Sequence, residues 1–223
     1  MSTSGKFGIL GVLALSILTT TGAVRAAETI VATPPVATPA AQPSALLGDL
    51  QTGFASASAA KACFEAYAAK ATEEGYLSVA ALFKTGAMSE GIHAKKFAAA
   101  ITKLGGKPAK AAEAKPITVL STKENLEAAL KGEIAANASS FPGFAKLAET
   151  EKNIPAMYAF KGALAAEVEF VKMAQSALAD LAGWKAAGKV FLVCEICGYP
   201  TLDGKIAKCP VCSAPRSKFE EIK

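Results

Sequence analysis

Histidine is almost missing from this chain, since His93 is the only one among 223 residues. No cluster of imidazoles can hold a metal or relay protons here, so any site that needs a histidine must use this one. An excess of one charge sign is missing as well. The formal charge of +5 falls to +3 when residues 1–26, which carry Lys6 and Arg25 and no acid, are set aside, leaving 22 basic against 19 acidic residues. Such a balance gives no electrostatic case for nucleic acid as a partner. Beyond the N-terminal segment, charges at helical spacing interrupt every apolar stretch before the ~18 residues that a membrane span needs. A membrane partner is therefore expected only through that segment. Low hydrophobicity, the mark of a disordered chain, is absent too. Hydrophobic residues make up 52% of the sequence, enough to bury the core of one large or two small domains.

What is present begins with a secretory pattern in residues 1–26. Lys6 supplies a basic start, residues 7–18 an apolar run, and Val24-Arg25-Ala26 a small-residue ending before a cut at Ala27. The expected location is periplasmic or otherwise exported, with membrane anchoring as the outcome if the segment is not cleaved. Residues 27–44 hold Pro34, Pro35, Pro39 and Pro43 among small side chains, a composition suited to an extended tether rather than a core.

From residue 45 to 183 the hydrophobic period predicts four long helices, over about 46–74, 76–104, 121–150 and 153–183. Ser121-Thr-Lys-Glu124 is a capping box opening the third, and Pro142 predicts a kink in it near Ser139. Asn153-Ile-Pro155 opens the fourth with a capping side chain and a first-turn proline. Four helices with one long connection between the second and third describe an all-α, ferritin-like four-helix bundle.

Residues 190–223 hold the most specific pattern. Cys194-x-x-Cys197 and Cys209-x-x-Cys212 are two pairs whose spacing turns both sulfurs of each toward one point. Four thiolates make a closed tetrahedral site for Fe or Zn, with two disulfides as the alternative. Gly198 supplies backbone freedom after the first pair, and Pro210 stiffens the second. Cys63, in an Ala-rich helical stretch, reads as a small buried apolar residue.

Within the bundle, Glu90-Gly-Ile-His93 places a carboxylate and the sole imidazole on one helix face. Glu133 and Glu167 lie mid-helix in apolar surroundings on the third and fourth helices. Each acid alone reads as a solvated surface carboxylate. Together, beside His93, they point to an interior metal site, because ferritin-like di-iron bundles use Glu and Glu-x-x-His donors from facing helices.

With these motifs in order, residues 45–223 resemble rubrerythrin, a ferritin-like di-iron domain followed by a rubredoxin-like domain. The resemblance is carried by Glu73-Glu-Gly-Tyr76, by Asn125-Leu-Glu-Ala-Ala-Leu-Lys-Gly-Glu133, by Phe141-Pro-Gly-Phe144 and by the cysteine knuckles. It implies an Fe(Cys)4 centre that delivers electrons to a di-iron site reducing hydrogen peroxide, in a homodimer served by a redox partner protein. It also implies seven di-iron ligands, of which three are replaced. Ala57 in Phe54-Ala-Ser-Ala57-Ser stands where the family has Glu, Ala136 stands where Glu133 should begin Glu-x-x-Glu, and Phe170 stands where Glu167 should begin Glu-x-x-His. Glu90, His93, Glu133 and Glu167 remain, a set suited to one ion and short for two. The expected function is an exported rubrerythrin-like electron-transfer protein with a degraded di-iron site. The alternatives are a peroxide-reducing oxidoreductase with a mononuclear or reduced-ligand di-iron site, and a structural zinc-knuckle interaction protein.

Overall fold

The computed structural model describes residues 44–109, 116–186 and 188–223, with the side chains of 133–139 outside the described set. The signal pattern and all but the last residue of the tether lie outside the described residues. Ala41–Lys223 forms one compact unit, so the helical part and the cysteine-bearing part pack on each other.

Helices α1 (Ala45–Glu73) and α2 (Leu77–Lys103) form an antiparallel hairpin. Ser44 caps α1 by accepting the Leu47 amide. At the other end of α1 the Glu74 carboxylate accepts the backbone amide of Thr122 at 2.8 Å and its hydroxyl at 2.6 Å, tying Thr122 to the α1–α2 turn. The crossover after α2 is pinned to α1 by Gln51, whose side-chain amide donates to the Lys107 carbonyl and accepts the Ala109 amide. Helix α3 (Thr122–Ser139) opens on the expected capping box, with Glu124 accepting from the Ser121 amide and hydroxyl.

One expectation is corrected here. The helix predicted to bend near Ser139 and run to Thr150 instead stops at Ser139, and a separate α4 (Phe141–Thr150) begins with Pro142 in its first turn. Proline has no amide to donate and its ring crowds the carbonyl four residues back, whereas the first turn of a new helix needs neither. The bundle therefore has five helices. Helix α5 (Ile154–Ala179) starts as predicted, with Asn153 accepting the Ala156 amide, and ends short of Gly183 in a turn closed on Asp180.

The core divides into two clusters along the bundle. One gathers Phe64, Tyr67, Leu82, Phe83, Leu126 and Met173. The other gathers Leu46, Leu50, Phe97, Ile101, Phe141 and Phe160, with four aromatic rings in edge or tilted contact. Between them in sequence on α2 and α5 lies a polar layer of Ser89, Glu90, His93 and Glu167, all buried.

After α5 the chain turns into a three-stranded antiparallel sheet of order β2-β1-β3, from β1 (Phe191–Cys194), β2 (Pro200–Thr201) and β3 (Phe219–Ile222). The period of two along β1 sends Phe191 into the bundle core against Trp184, while Leu192 and Cys194 join a small core with Cys197, Cys209 and Phe219. No described helix is long and apolar enough to cross a membrane.

Candidate metal centre

The two cysteine pairs are built on one backbone plan used twice. In the first, the Cys194 amide donates to the Tyr199 carbonyl and the Gly198 amide donates back to the Cys194 carbonyl. In the second, the Cys209 amide donates to the Ala214 carbonyl and the Ser213 amide to the Cys209 carbonyl. The residue following each pair has positive φ, +83° at Gly198 and +60° at Ser213. Closing each loop this way lifts its two sulfurs toward the other loop.

All four thiols are free, and their sulfurs lie within 4.8 Å of one another. The closest approaches cross between knuckles, 3.4 Å from Cys197 to Cys209 and 3.6 Å from Cys194 to Cys212. Disulfide bonding needs about 2.05 Å. A tetrahedron with metal–sulfur bonds of about 2.3 Å has edges of about 3.8 Å, so the four residues fit a tetrathiolate-held ion.

Electrostatics around the sulfurs is uneven. Burial pushes Cys194 up to about 11, opposed by the backbone N–H groups of Cys197 and Ile196. Burial also raises Cys197, against the Tyr199 N–H. Burial would raise Cys212 too, but the Ala214 N–H and the facing thiols of Cys194, Cys197 and Cys209 bring it below the ordinary thiol value. These N–H groups are aimed where thiolate charge has to be held.

The first knuckle is seated on the bundle. A Cβ at Gly198 would lie 2.5 Å from His93 Nε2 and 3.1 Å from the Ser89 carbonyl, so glycine is required for the docking as well as for the positive φ. His93, fully buried, is held at both ring nitrogens, with Nε2 3.2 Å from the Cys197 carbonyl and Nδ1 3.3 Å from Glu90 Oε1. The carbonyl can only accept, so Nε2 donates to it, and a bond between Nδ1 and Glu90 needs a hydrogen on one of those two groups. Tyr199 adds a contact with Glu169 of α5, and burial followed by that neighbouring charge pushes its phenol up to about 12.

The structure thus brings Cys194, Cys197, Cys209 and Cys212 together, and pairs Glu90 with His93. Glu167 borders the same small cavity as Glu90, together with Ser89, Phe64, Phe170 and Pro200. That cavity measures about 10 Å³, room for about one water molecule. Glu133 lies on α3, and its side chain, like that of Ala136, is outside the described residues. Among the described residues, the four cysteines are the one group in which three or more metal-binding side chains converge. The two described positions read as replaced ligands, Ala57 and Phe170, are packed with hydrocarbon. Ala57 is buried in the Phe97 cluster, and the Phe170 ring stacks on Phe64 with centroids 4.8 Å apart. Both rings press on Gly86, where a Cβ would come within 2.8 Å of each. Cys63, half-buried against the core, has its thiol raised by burial, which suits the apolar role expected of it.

Ser89, Gly86 and Gly162, which lies beneath the Cys197 carbonyl, were not foreseen. Their only sequence signal is small size on a helix, which does not say what approaches.

Comparison with known proteins agrees with this architecture. Residues 49–178 match the rubrerythrin family model, and residues 193–220 match the model of the rubrerythrin, rubredoxin-like domain. Rubrerythrin-1 of Clostridium acetobutylicum is 34% identical over 181 residues, covering 77% of this chain and 91% of that protein. The rubrerythrin of Porphyromonas gingivalis is 33% identical over 179 residues, covering 78% and 88%. Among solved structures, fully reduced, all-ferrous nigerythrin superposes with a TM-score of 0.72 at 28% identity, over 86% of this chain and 91% of that one. A bacterioferritin from Desulfovibrio desulfuricans, at 21% identity and a TM-score of 0.57, shares the fold of the helical part. With a helical bundle and a four-cysteine knuckle domain each matched in order, the chain belongs to the rubrerythrin family.

Proposed function

We propose that this protein is an exported electron-transfer member of its family, in which iron at Cys194, Cys197, Cys209 and Cys212 does the redox work and the di-iron site of the bundle is degraded. Convergence of the four thiols, unmatched by any other described donor set, carries the reading. Iron held this way supplies a one-electron couple and no open position for substrate, whereas zinc would supply structure alone. The chain's own part is to aim N–H groups at the sulfurs, to cover the first knuckle with α2 and α5, and to fix that knuckle through His93. Export through residues 1–26 and homodimeric assembly complete the proposal, to be read from the N-terminal sequence of the mature protein and its mass in solution.

The degraded site is supported by Phe170 and Ala57, which offer no donor atom, and by the cavity of about 10 Å³ beside Glu90 and Glu167. A second reading, a peroxide reductase with one ion on Glu90, His93 and Glu167, is favoured by the ring of His93, which joins the Cys197 carbonyl to Glu90. Iron per chain and peroxide turnover separate the two. The parent is expected to hold one iron, red when oxidised, with little peroxide turnover. The combined Ala57→Glu, Ala136→Glu and Phe170→His variant is expected to gain bundle iron, at a stability cost of a few kcal/mol (~3) for the lost ring. Two bundle irons and robust turnover in the parent would overturn the proposal.

A further inference from the structure

On the helices, the hydroxyls of Thr52, Ser58, Thr72, Thr85, Thr102 and Thr150 each donate to the carbonyl four residues earlier. Buried Ser78 and Thr122 reach the Ala186 carbonyl and the Glu74 carboxylate instead. Ser89, on α2 and only 3% exposed, does neither, and its Oγ has no partner among the described residues. A hydroxyl shut away from solvent in this way costs the folded state free energy unless something small bonds to it.

Ser89 borders the cavity of about 10 Å³ between α2 and α5. Glu90 and Glu167, 7% and 4% exposed, border it too. Glu90 faces His93 with Oε1, which leaves it a second oxygen to be met. Phe64 and Phe170 line the cavity with hydrocarbon, and Pro200, which reaches it from the cysteine domain, has no N–H to give. The polar side chains around this space are therefore one hydroxyl and two acids, with no cation among the lining residues.

We infer that this cavity is a binding site for one water molecule, a proposal that rests on the reading of the bundle site as degraded. Volume sets the size of the occupant, and the partners set its chemistry. A space of about 10 Å³ is the room that one water needs, and a buried water makes about three hydrogen bonds. Water accepts the Ser89 hydroxyl and donates one hydrogen to Glu90 and the other to Glu167. Held in this way it joins α2 to α5, and it extends the line that runs from the Cys197 carbonyl through His93 to Glu90. The layer is then a fixed polar tie beneath the first knuckle, with no room for the two oxygens of hydrogen peroxide.

The test joins a crystal structure of the full protein with its thiol-held metal, at a resolution that shows ordered water, to the stability of Ser89→Ala. One rounded density peak is expected in the cavity, about 2.7–3.0 Å from Ser89 Oγ and from one carboxylate oxygen each of Glu90 and Glu167, with no anomalous signal at the iron or zinc edge. In urea, Ser89→Ala is expected to unfold at a midpoint lower by about 0.5 M, because the bound water loses a partner. A hydroxyl without a partner gives the opposite sign, since its removal relieves the folded state. A raised or unchanged midpoint overturns the proposal. So does a cavity without a peak, or a peak that carries an anomalous signal or has contacts shorter than about 2.5 Å, as a cation would. No peak and no bundle iron sinks the water site alone, whereas an iron peak bonded to Glu90 and Glu167 sinks the degraded-site reading with it.

Discussion

Of the two knuckles, one is wedged between α2 and α5 and the other faces solvent, although their backbones make the same pair of hydrogen bonds. Both need a left-handed residue after their C-terminal cysteine, and they fill that need differently. At position 198 the residue is glycine, because any Cβ would strike the His93 ring. At position 213 it is an exposed serine, which accepts about 1 kcal/mol of backbone strain since nothing packs above it. The same local fold thus tolerates or forbids a side chain according to its neighbour. Burial follows the same divide, with Cys197 covered and Cys212 half-open.

The largest expected difference between the knuckles lies in metal retention. Cys197→Ser should unload the metal and leave residues 190–223 protease-sensitive, because so small a core does not fold unaided. Cys212→Ser, with solvent at hand to complete the coordination, should keep metal at reduced affinity. Metal per chain after dialysis against a chelator compares them, and equal retention would erase the distinction.

Next in size is the effect at the left-handed positions. Gly198→Ala should lose more than about 2 kcal/mol in urea unfolding, from backbone strain plus the collision with His93. Ser213→Gly should stay within about 1 kcal/mol of the parent, since relief of strain is offset by the freer unfolded chain. A Gly198→Ala protein as stable as the parent would mean that the knuckle does not rest on α2.

The smallest effect concerns thiol chemistry in the moments after a chelator strips the metal, before residues 190–223 lose their fold. Cys212 sits below the ordinary thiol value while burial holds Cys194 up at about 11. Near neutral pH the lower value means more thiolate, so iodoacetamide should label Cys212 first and Cys194 late. Peptide mass spectrometry at short reaction times reads the order, and simultaneous labelling would show that the knuckles do not keep their separate environments.

Much of this was legible in the chain. The Cys-x-x-Cys spacings specify the ligand set because two intervening residues and a tight turn leave the sulfurs little choice of direction. The capping box at Ser121 and the Asn153-Ile-Pro155 start are local devices, and both formed as expected. Pro142 announced an interruption, but whether it bends a helix or divides it depends on whether the freed backbone groups find other partners, and here the chain restarted at Phe141. Glu90, His93 and Glu167, read as interior from their joint mid-helix placement, are buried, while the Glu133 side chain lies outside the described residues.

By itself, then, the sequence determined the elements whose causes are local: helical period, caps and the metal-binding spacing. Only the tertiary structure decided that Cys197 rests its carbonyl on His93, that Phe170 and Phe64 close over Gly86 in the polar layer, and that Cys212 keeps an open side. Those contacts join residues up to 104 positions apart. Sequence spacing cannot encode them one by one, because each depends on how whole helices and the small sheet exclude water together.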